Sequence, residues 1–426
     1  MAVNPSPLYR RVGLHVLPIL FCCYLVNYID RVNVSFAKLH LSAALHLGDA
    51  AYGLGAGLFF VGYFFFQIPS NLLLHRIGAR RTIALIVILW GIISAAGAFI
   101  HTENEFYLQR LLLGASEAGF FPGVILYLTT WFPSTIRARI FAIFLTAIPV
   151  AGLIGGPISG YILENVHGAG LQAWQWLFIL EGLPCALLAV WVFRSLPDRP
   201  ADAPWLSAQE QRELEADLAA DQNTSSTRTT GSTLSTLSQP LVWKLCLLYF
   251  CTMMGLYGLS FWLPQIIQGL GWKGPLQVGL LSAVPWFFAV LFMLFLGARS
   301  DRRQERRKHA AFAGWVAAVG FALCGLTHDS ALGLVAISLA AAGVMGMMAV
   351  QWSLPGTLLS GTAAAAGIAL VNSCGNLGGF VSPFAIGKLT EMTHTSAAGL
   401  FLTAASLLWG AGLLLTTPEL EPSRSR

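Results

Sequence analysis

The chain has 426 residues, of which 56% are hydrophobic and 11% charged, with a mean hydropathy of +0.67. A soluble protein carries roughly 25% charged residues, so this chain has too little charge to clothe a water-facing surface, and most of its exterior must face lipid. Soluble, disordered and nucleic-acid-binding classes are excluded, and the net charge of +5 (25 Lys+Arg against 20 Asp+Glu) becomes a question of topology.

A hydrocarbon core of about 30 Å takes about 20 apolar residues as a helix. Lipid offers the backbone no hydrogen-bond partner, so each run of that length is predicted helical. Six runs precede residue 195: Leu14–Ala37, Tyr52–Leu74, Thr82–Ile100, Phe106–Phe132, Ile140–Leu163 and Trp176–Phe193. Then comes the only long polar stretch, Leu196–Gln239. In it Ser207 and Glu210 are spaced as a capping box that opens a short charged, amphipathic helix to about Ala220, and Thr224–Ser238 reads as a flexible linker. Six further runs follow: Val242–Ile267, Val278–Leu296, Ala310–Leu326, Leu332–Trp352, Ala363–Ile386 and Ala397–Thr416. The expected organisation is a six-helix bundle over 1–195, a cytoplasmic linker over 196–240 and a second six-helix bundle over 241–426.

The cations orient these spans. With the N-terminus inside, twenty of the 25 Lys+Arg fall on inward segments and only Lys38, Lys273 and Lys388 on outward ones; Arg31 and Arg110 lie within spans. The positive-inside rule therefore places both termini in the cytoplasm. The basic loops also repeat: His75-Arg76 with Arg80-Arg81, after span two, matches Asp301-Arg302 with Arg306-Arg307, after span eight, at a constant offset of 226 residues. Duplicated halves are a transporter architecture.

Ionised side chains inside a bilayer cost several kcal/mol and mark function by default. In chain order these are Asp30, Arg31, Arg110 and Glu117. Tyr24, Asn27, Tyr28 and Arg31 share one face of span one, with Asp30 about 100° away; Tyr107, Arg110, Gly114 and Glu117 share one face of span four, where Gly114 leaves room between the charges. Both stripes are expected to face a central cavity. One reading is two buried ion pairs that lock span one to span four. The other follows from charge: the two acids cancel the two arginines, and protonating them frees two guanidiniums whose planar donors match a carboxylate. Asp30 and Glu117 are then the proton-coupling groups of a proton–anion symport. Glu181, on span six, is read as structural.

Three motifs carry a family resemblance. Asn27-Tyr28-x-Asp30-Arg31, Gly62-Tyr63-x-x-x-Gln67-x-Pro69-Ser70-Asn71 and Arg110-x-x-x-Gly114-x-x-Glu117-Ala118-Gly119-Phe120-Phe121-Pro122-Gly123 resemble the anion:cation symporters of the major facilitator superfamily. The resemblance spans essentially the whole chain and implies an all-α membrane protein of twelve helices in two pseudo-symmetric six-helix bundles. It also implies uptake of a small organic anion such as tartrate, a sugar acid or an aromatic acid, with an arginine at the substrate carboxylate. Tyr28, Arg31, Tyr63, Arg110, Tyr257, Trp352, Ser353, Asn372 and Asn376 are the expected substrate-binding set, Asn372 and Asn376 facing one way by their spacing of four.

Gly152-x-x-x-Gly156-Pro157-x-x-Gly160 on span five resembles the corresponding motif of proton-coupled drug antiporters, which makes efflux the alternative. Arg76, Arg80, Asp301 and Arg302 are expected to gate the cytoplasmic side. The first copy departs from the family, with His75 at its usual acid and Asn71 at its usual glycine. The seven cysteines lie in apolar runs without a CxxC and are read as packing residues. No HExxH, phosphate loop, nucleophile elbow or metal-spaced cluster is present, so neither an enzyme nor a cofactor or metal is expected. The expected partners are the organic anion, protons and lipid, for a monomer in a bacterial inner membrane without a cleaved signal peptide.

Overall fold

The computed structural model describes residues 6–226, 239–303, 305–352, 354 and 362–417. Among them the regular elements are helices. Span one is Pro7–Ala44, two Asp49–Ile77, three Ala79–Ala96, four Glu103–Thr129, five Ser134–Asn165 and six Ala173–Ser195. Seven is Pro240–Gly269, eight Pro275–Arg303, nine Arg306–Leu326, ten Ser330–Gln351, eleven Thr362–Thr393 and twelve Ala397–Leu415. Among the described residues eleven helices are long and apolar enough to cross a membrane, and span eleven, 32 residues long, completes the twelve. Eleven of the helices start before their apolar runs, since a helix leaving the hydrocarbon need not stop there, whereas spans three, four, ten and twelve end short of theirs, at Ala96, Thr129, Gln351 and Leu415.

Spans four, five and six each break once, after Glu117, Leu145 and Gly182. A proline follows each break, at Pro122, Pro149 and Pro184. Without an N–H it cannot bond the carbonyl four residues back, and the ladder is interrupted there.

Twelve crossings put both termini at one end of the bundle, and the opposite end, called here the far end, is where the halves close. Span two packs on eleven and span five on eight. Their backbones approach too closely for a side chain: a Cβ on Gly57 would lie 2.8 Å from the Phe380 carbonyl oxygen, on Gly160 2.6 Å from that of Pro275, and on Gly279 2.3 Å from that of Gly156. Small residues at such crossings supply the dispersion contact that replaces a hydrophobic drive inside lipid.

Two carboxylates latch this seam. Glu391, near the end of span eleven, accepts from the Ala50 N–H at the start of span two at 3.0 Å. Glu164, near the end of span five, accepts from the Leu276 N–H at the start of span eight at 2.9 Å. The donors are 226 residues apart (276 minus 50) and the acceptors 227 (391 minus 164), so each latch is the pseudo-symmetric copy of the other, at the spacing of the basic loops. Each places an anion on an orphan N–H at the positive end of a helix. Lys38, paired with Asp49, sits over the Trp262 ring of span seven at 4.1 Å and completes the closure.

The linker helix, Ala208–Ser226, has the capping box read from sequence: Ser207 N–H to Glu210 at 2.9 Å and Glu210 N–H to the Ser207 hydroxyl at 3.2 Å. Hydrogen bonding of the Glu210 carboxyl to the Ser207 backbone N–H and side chain holds it below its ordinary range. The helix is clamped to the first bundle. Arg11 binds Glu210 at 2.8 Å, Tyr9 donates to Asp217 at 2.7 Å, and Arg137 pairs with Asp221 at 3.2 Å. His15 stacks on Trp205 beside it. The run Thr224–Ser238 lies mostly outside the described residues.

Replacing both latches, Glu164→Gln with Glu391→Gln, removes the charge–dipole attraction, about 0.3–1 kcal/mol each, from far-end closure. Labelling of a Phe380→Cys probe by an impermeant maleimide added on the far side is expected to rise several-fold, with smaller and similar rises in the single variants. Unchanged labelling would mean that the glycine seam closes the far end unaided.

Candidate functional site

The centre of the molecule is organised by Arg31. Its Nη2 and Nε donate to one oxygen of Glu117, at 2.8 and 3.1 Å, and Nη2 also reaches the Asn27 amide oxygen at 3.0 Å. Nη1 donates across the molecule to the Tyr257 hydroxyl on span seven at 3.2 Å. Asn27 and Arg31 meet because they are one turn apart on span one, and Glu117 is the last residue before the break in span four. The guanidinium lies over the rings of Phe59 and Tyr63 at 4.9 and 5.5 Å, faces that attract a cation. The second Glu117 oxygen has no hydrogen-bond partner.

Arg110 is fully buried, yet the hydrogen bond it makes is from Nη2 to the Arg31 carbonyl oxygen at 3.1 Å. Its Nε and Nη1 are unpartnered. Phe59 and Phe261 cover it at 5.3 and 5.8 Å. Two arginines in apolar surroundings thus share one directly paired carboxylate, and donor capacity is left over.

Asp30 turns the other way. Ser94 on span three and Cys185 on span six donate to its two oxygens at 2.9 and 3.2 Å, and among the described residues it forms no ion pair. The two-pair arrangement is corrected accordingly: the offset of Asp30 from Arg31, about 100°, carries it off the cavity-facing stripe, toward spans three and six. Gly114 is also corrected. A Cβ there would lie 1.8 Å from the Phe59 carbonyl oxygen, so the glycine admits the backbone of span two instead of spacing two charges. Tyr107 lies at the far end, donating to Glu103 at 2.6 Å.

A cavity of about 30 Å³ lies between the halves on the side of the termini. Arg31, Tyr63, Tyr257, Trp352, Asn372 and Asn376 line it, as the sequence leads one to expect. That volume holds water; a bound organic anion needs several hundred Å³, so loading requires the halves to part at this end. Tyr28 is outside this lining, with its hydroxyl 2.8 Å from that of Ser260, and Ser353 is outside the described residues. The cavity also takes in Tyr24, which the sequence placed on the cavity-facing stripe of span one, and Tyr249, which the sequence reading left unassigned. Tyr249 precedes Tyr257 by eight residues, so it falls on nearly the same helical face, and that spacing is the signal that could have found it.

At the end bearing the termini, Asp301 is 3.8 Å from Arg306, and Arg76 and Arg302 are exposed. The His75 side chain lies outside the described set. An acid nevertheless serves this first loop: Asp198, after span six, accepts from the Arg80 N–H at 2.9 Å and lies against Gly78, whose φ of +89° opens the turn. Sequence spacing gave no sign of Asp198, which is 118 residues away from Arg80.

A family model described as Major Facilitator Superfamily matches residues 20–383. The chain belongs to the major facilitator superfamily. This facilitator is 42% identical over 407 residues to a quinolone resistance transporter of Acinetobacter baumannii, covering 96% of this chain and 93% of that one. It is 43% identical over 414 residues to an Agrobacterium vitis protein provisionally named a tartrate transporter, covering 97% and 95%. The structure of the xylose transporter XylE from E. coli, described as partially occluded and inward open, superposes with a TM-score of 0.75 at 14% identity, over 95% of this chain and 98% of that one. The facilitator is therefore a multi-pass transporter and not an enzyme, with twelve helices in two bundles.

Gly114→Ala is expected to cost about 3 kcal/mol or more through overpacking against span two, read as a lowered melting midpoint in detergent by tryptophan fluorescence. Gly269→Ala, whose added Cβ meets nothing within 4 Å, should leave the midpoint within a degree or two.

Proposed function

We propose that this facilitator imports a small organic anion with protons by alternating access, as a monomer in a bacterial inner membrane with both termini in the cytoplasm. The observation that carries the reading is the arginine pair: Arg31 held by a single carboxylate, and Arg110 buried with two nitrogens unpartnered. A carboxylate entering from the cavity meets Arg31 at its wall, with Arg110 behind it. Of the relatives, the one provisionally named a tartrate transporter names a dicarboxylate as its cargo, which supports the organic-anion reading.

The coupling runs through Glu117. While ionised it occupies the Nη2 and Nε donors of Arg31, the planar edge a substrate carboxylate would use. A proton on Glu117 ends the ion pair and frees that edge; release of that proton to the cytoplasm restores the carboxylate, which displaces the anion. Asp30 holds the second proton, on a carboxyl served by a hydroxyl and a thiol instead of a cation. Tyr28, Tyr63, Tyr257, Trp352, Ser353, Asn372 and Asn376 orient the rest of the substrate, the two asparagines suiting hydroxylated acids and Trp352 an aromatic ring.

The bundles 1–195 and 241–426 are the bodies that rock, joined by 196–240. With the termini inside, the far end is the outer face, and its closure leaves the site to exchange with the cytoplasm. Arg76, Arg80, Asp301 and Arg302 belong to the gate that closes when the bundles rock the other way.

A second reading, proton-coupled efflux, draws on the quinolone relative and the Gly152–Gly160 motif. Uptake of labelled tartrate, an aldonate, phthalate and a monocarboxylate into proteoliposomes separates the two. Import predicts accumulation of at least one acid that an inward proton gradient stimulates; efflux predicts none, with dye leaving against an opposing gradient. For the acid accumulated, Arg31→Ala and Arg110→Ala are each expected to raise KM about tenfold or more. Glu117→Gln should keep counterflow exchange and lose gradient-driven accumulation, and accumulation equal to the parent's would remove Glu117 from the coupling.

A further inference from the structure

One buried acid has no part in this scheme. Glu181, read from sequence as structural, is 5% exposed and accepts from the Ser159 hydroxyl at 2.6 Å, while its other oxygen has no partner. The groups facing it are Asn33 and Asp30 from span one and Ser159 from span five. Cys185 and Ser94 stand behind Asp30, and Glu117 lies beyond it. No cation among the described residues pairs with Glu181 or with Asp30. A carboxylate there is uncompensated charge, which a packed interior does not sustain without a balancing ion.

The second observation is a small, mainly apolar gap reached from Glu181 through Ser159, with one unsatisfied polar side chain in its wall. Asn33 is 1% exposed, and neither its amide nitrogen nor its amide oxygen has a hydrogen-bond partner. It lines a cavity of about 20 Å³ together with Ser159, Gly155, Ser260, Pro264 and Trp286. That is room for one water, whose polar partners would be Asn33, Ser159 and Ser260 in an otherwise apolar wall. The Ser260 hydroxyl is in turn 2.8 Å from that of Tyr28.

From these we infer that Glu181 is a proton-carrying carboxyl, exchanging its proton with the far side through a water held by Asn33, Ser159 and Ser260. Loading forms one O–H bond on the free Glu181 oxygen and breaks one on the hydrated proton that reaches the gap. The walls explain the gating. Asn33, Gly155 and Ser159 belong to the first bundle and Ser260, Pro264 and Trp286 to the second, so parting span five from span eight exposes the gap to the far side and closure seals it. Proton entry is thus tied to the same movement that admits substrate. The inference rests on the proton-coupled reading for its place in transport, but the proton on Glu181 is testable without it.

The test is infrared difference spectroscopy of the full chain in liposomes, stepping the pH in H₂O and in D₂O. The parent should show a protonated-carboxyl band that titrates, that Glu181→Gln removes and Asp30→Asn retains, and that Glu181→Asp shifts if the amide variant does not fold. Asn33→Leu or Ser159→Ala should slow deuterium exchange of that band about tenfold, as loss of one relay member does. A spectrum unchanged by both Glu181 variants, or a band that never exchanges, overturns the inference. So does a band that moves with sodium at fixed pH, which would assign the gap to an alkali cation. Tartrate uptake in the same liposomes, with and without a proton gradient, reports on the transport reading separately: its failure leaves the infrared result standing.

Discussion

Arg31 binds both halves of the molecule through one guanidinium. Three of its hydrogen bonds stay within the first bundle, to Glu117 and Asn27, and the fourth crosses to Tyr257 of the second. Such a group cannot be neutral to conformation. Whatever takes its donors from Glu117 also alters how the two bundles are joined at their midpoint, and whatever separates the bundles removes Tyr257 and leaves the guanidinium short of one acceptor. With the anion site at Arg31 as proposed, ligand exchange and movement would act on the same few bonds.

Around that centre the two ends of the molecule are built differently. The far end is a seam of backbone against backbone, with glycines where any side chain would collide and a carboxylate latch on either side. The end bearing the termini is polar and looser, with a clamped linker helix, the basic loops and a cavity that holds only water. Dry, close-packed contact separates as a rigid body because it has no rotamers to rearrange; charged loops separate by exchanging partners with solvent. The rocking proposed for the halves would thus meet a steep resistance at one end and a graded one at the other.

The twelve spans were legible because lipid imposes a length on every apolar run, and Leu14–Ala37 or Ala397–Thr416 could mean little else. The capping box at Ser207 and Glu210 was legible because both partners are local. The site was legible as a set of residues, since charge in an apolar run stands out, but its pairing was not. A helical wheel places Asp30 about 100° from Arg31 without saying that spans three and six stand there to receive it. Gly114 was misread for a related reason: spacing along one helix carries no information on how near another backbone comes. Asp198 and the two latches join residues more than a hundred positions apart through backbone N–H groups, which leave no side-chain pattern to read.

The latches and the glycine seam carry a further consequence through their symmetry. Each half supplies one acceptor and one helix start, so neither can change its side of the contact alone without tilting the molecule toward one face. At Glu164 with Leu276 and at Glu391 with Ala50 the two halves carry the same contact at matching places, so the seam is held with equal grip on its two sides.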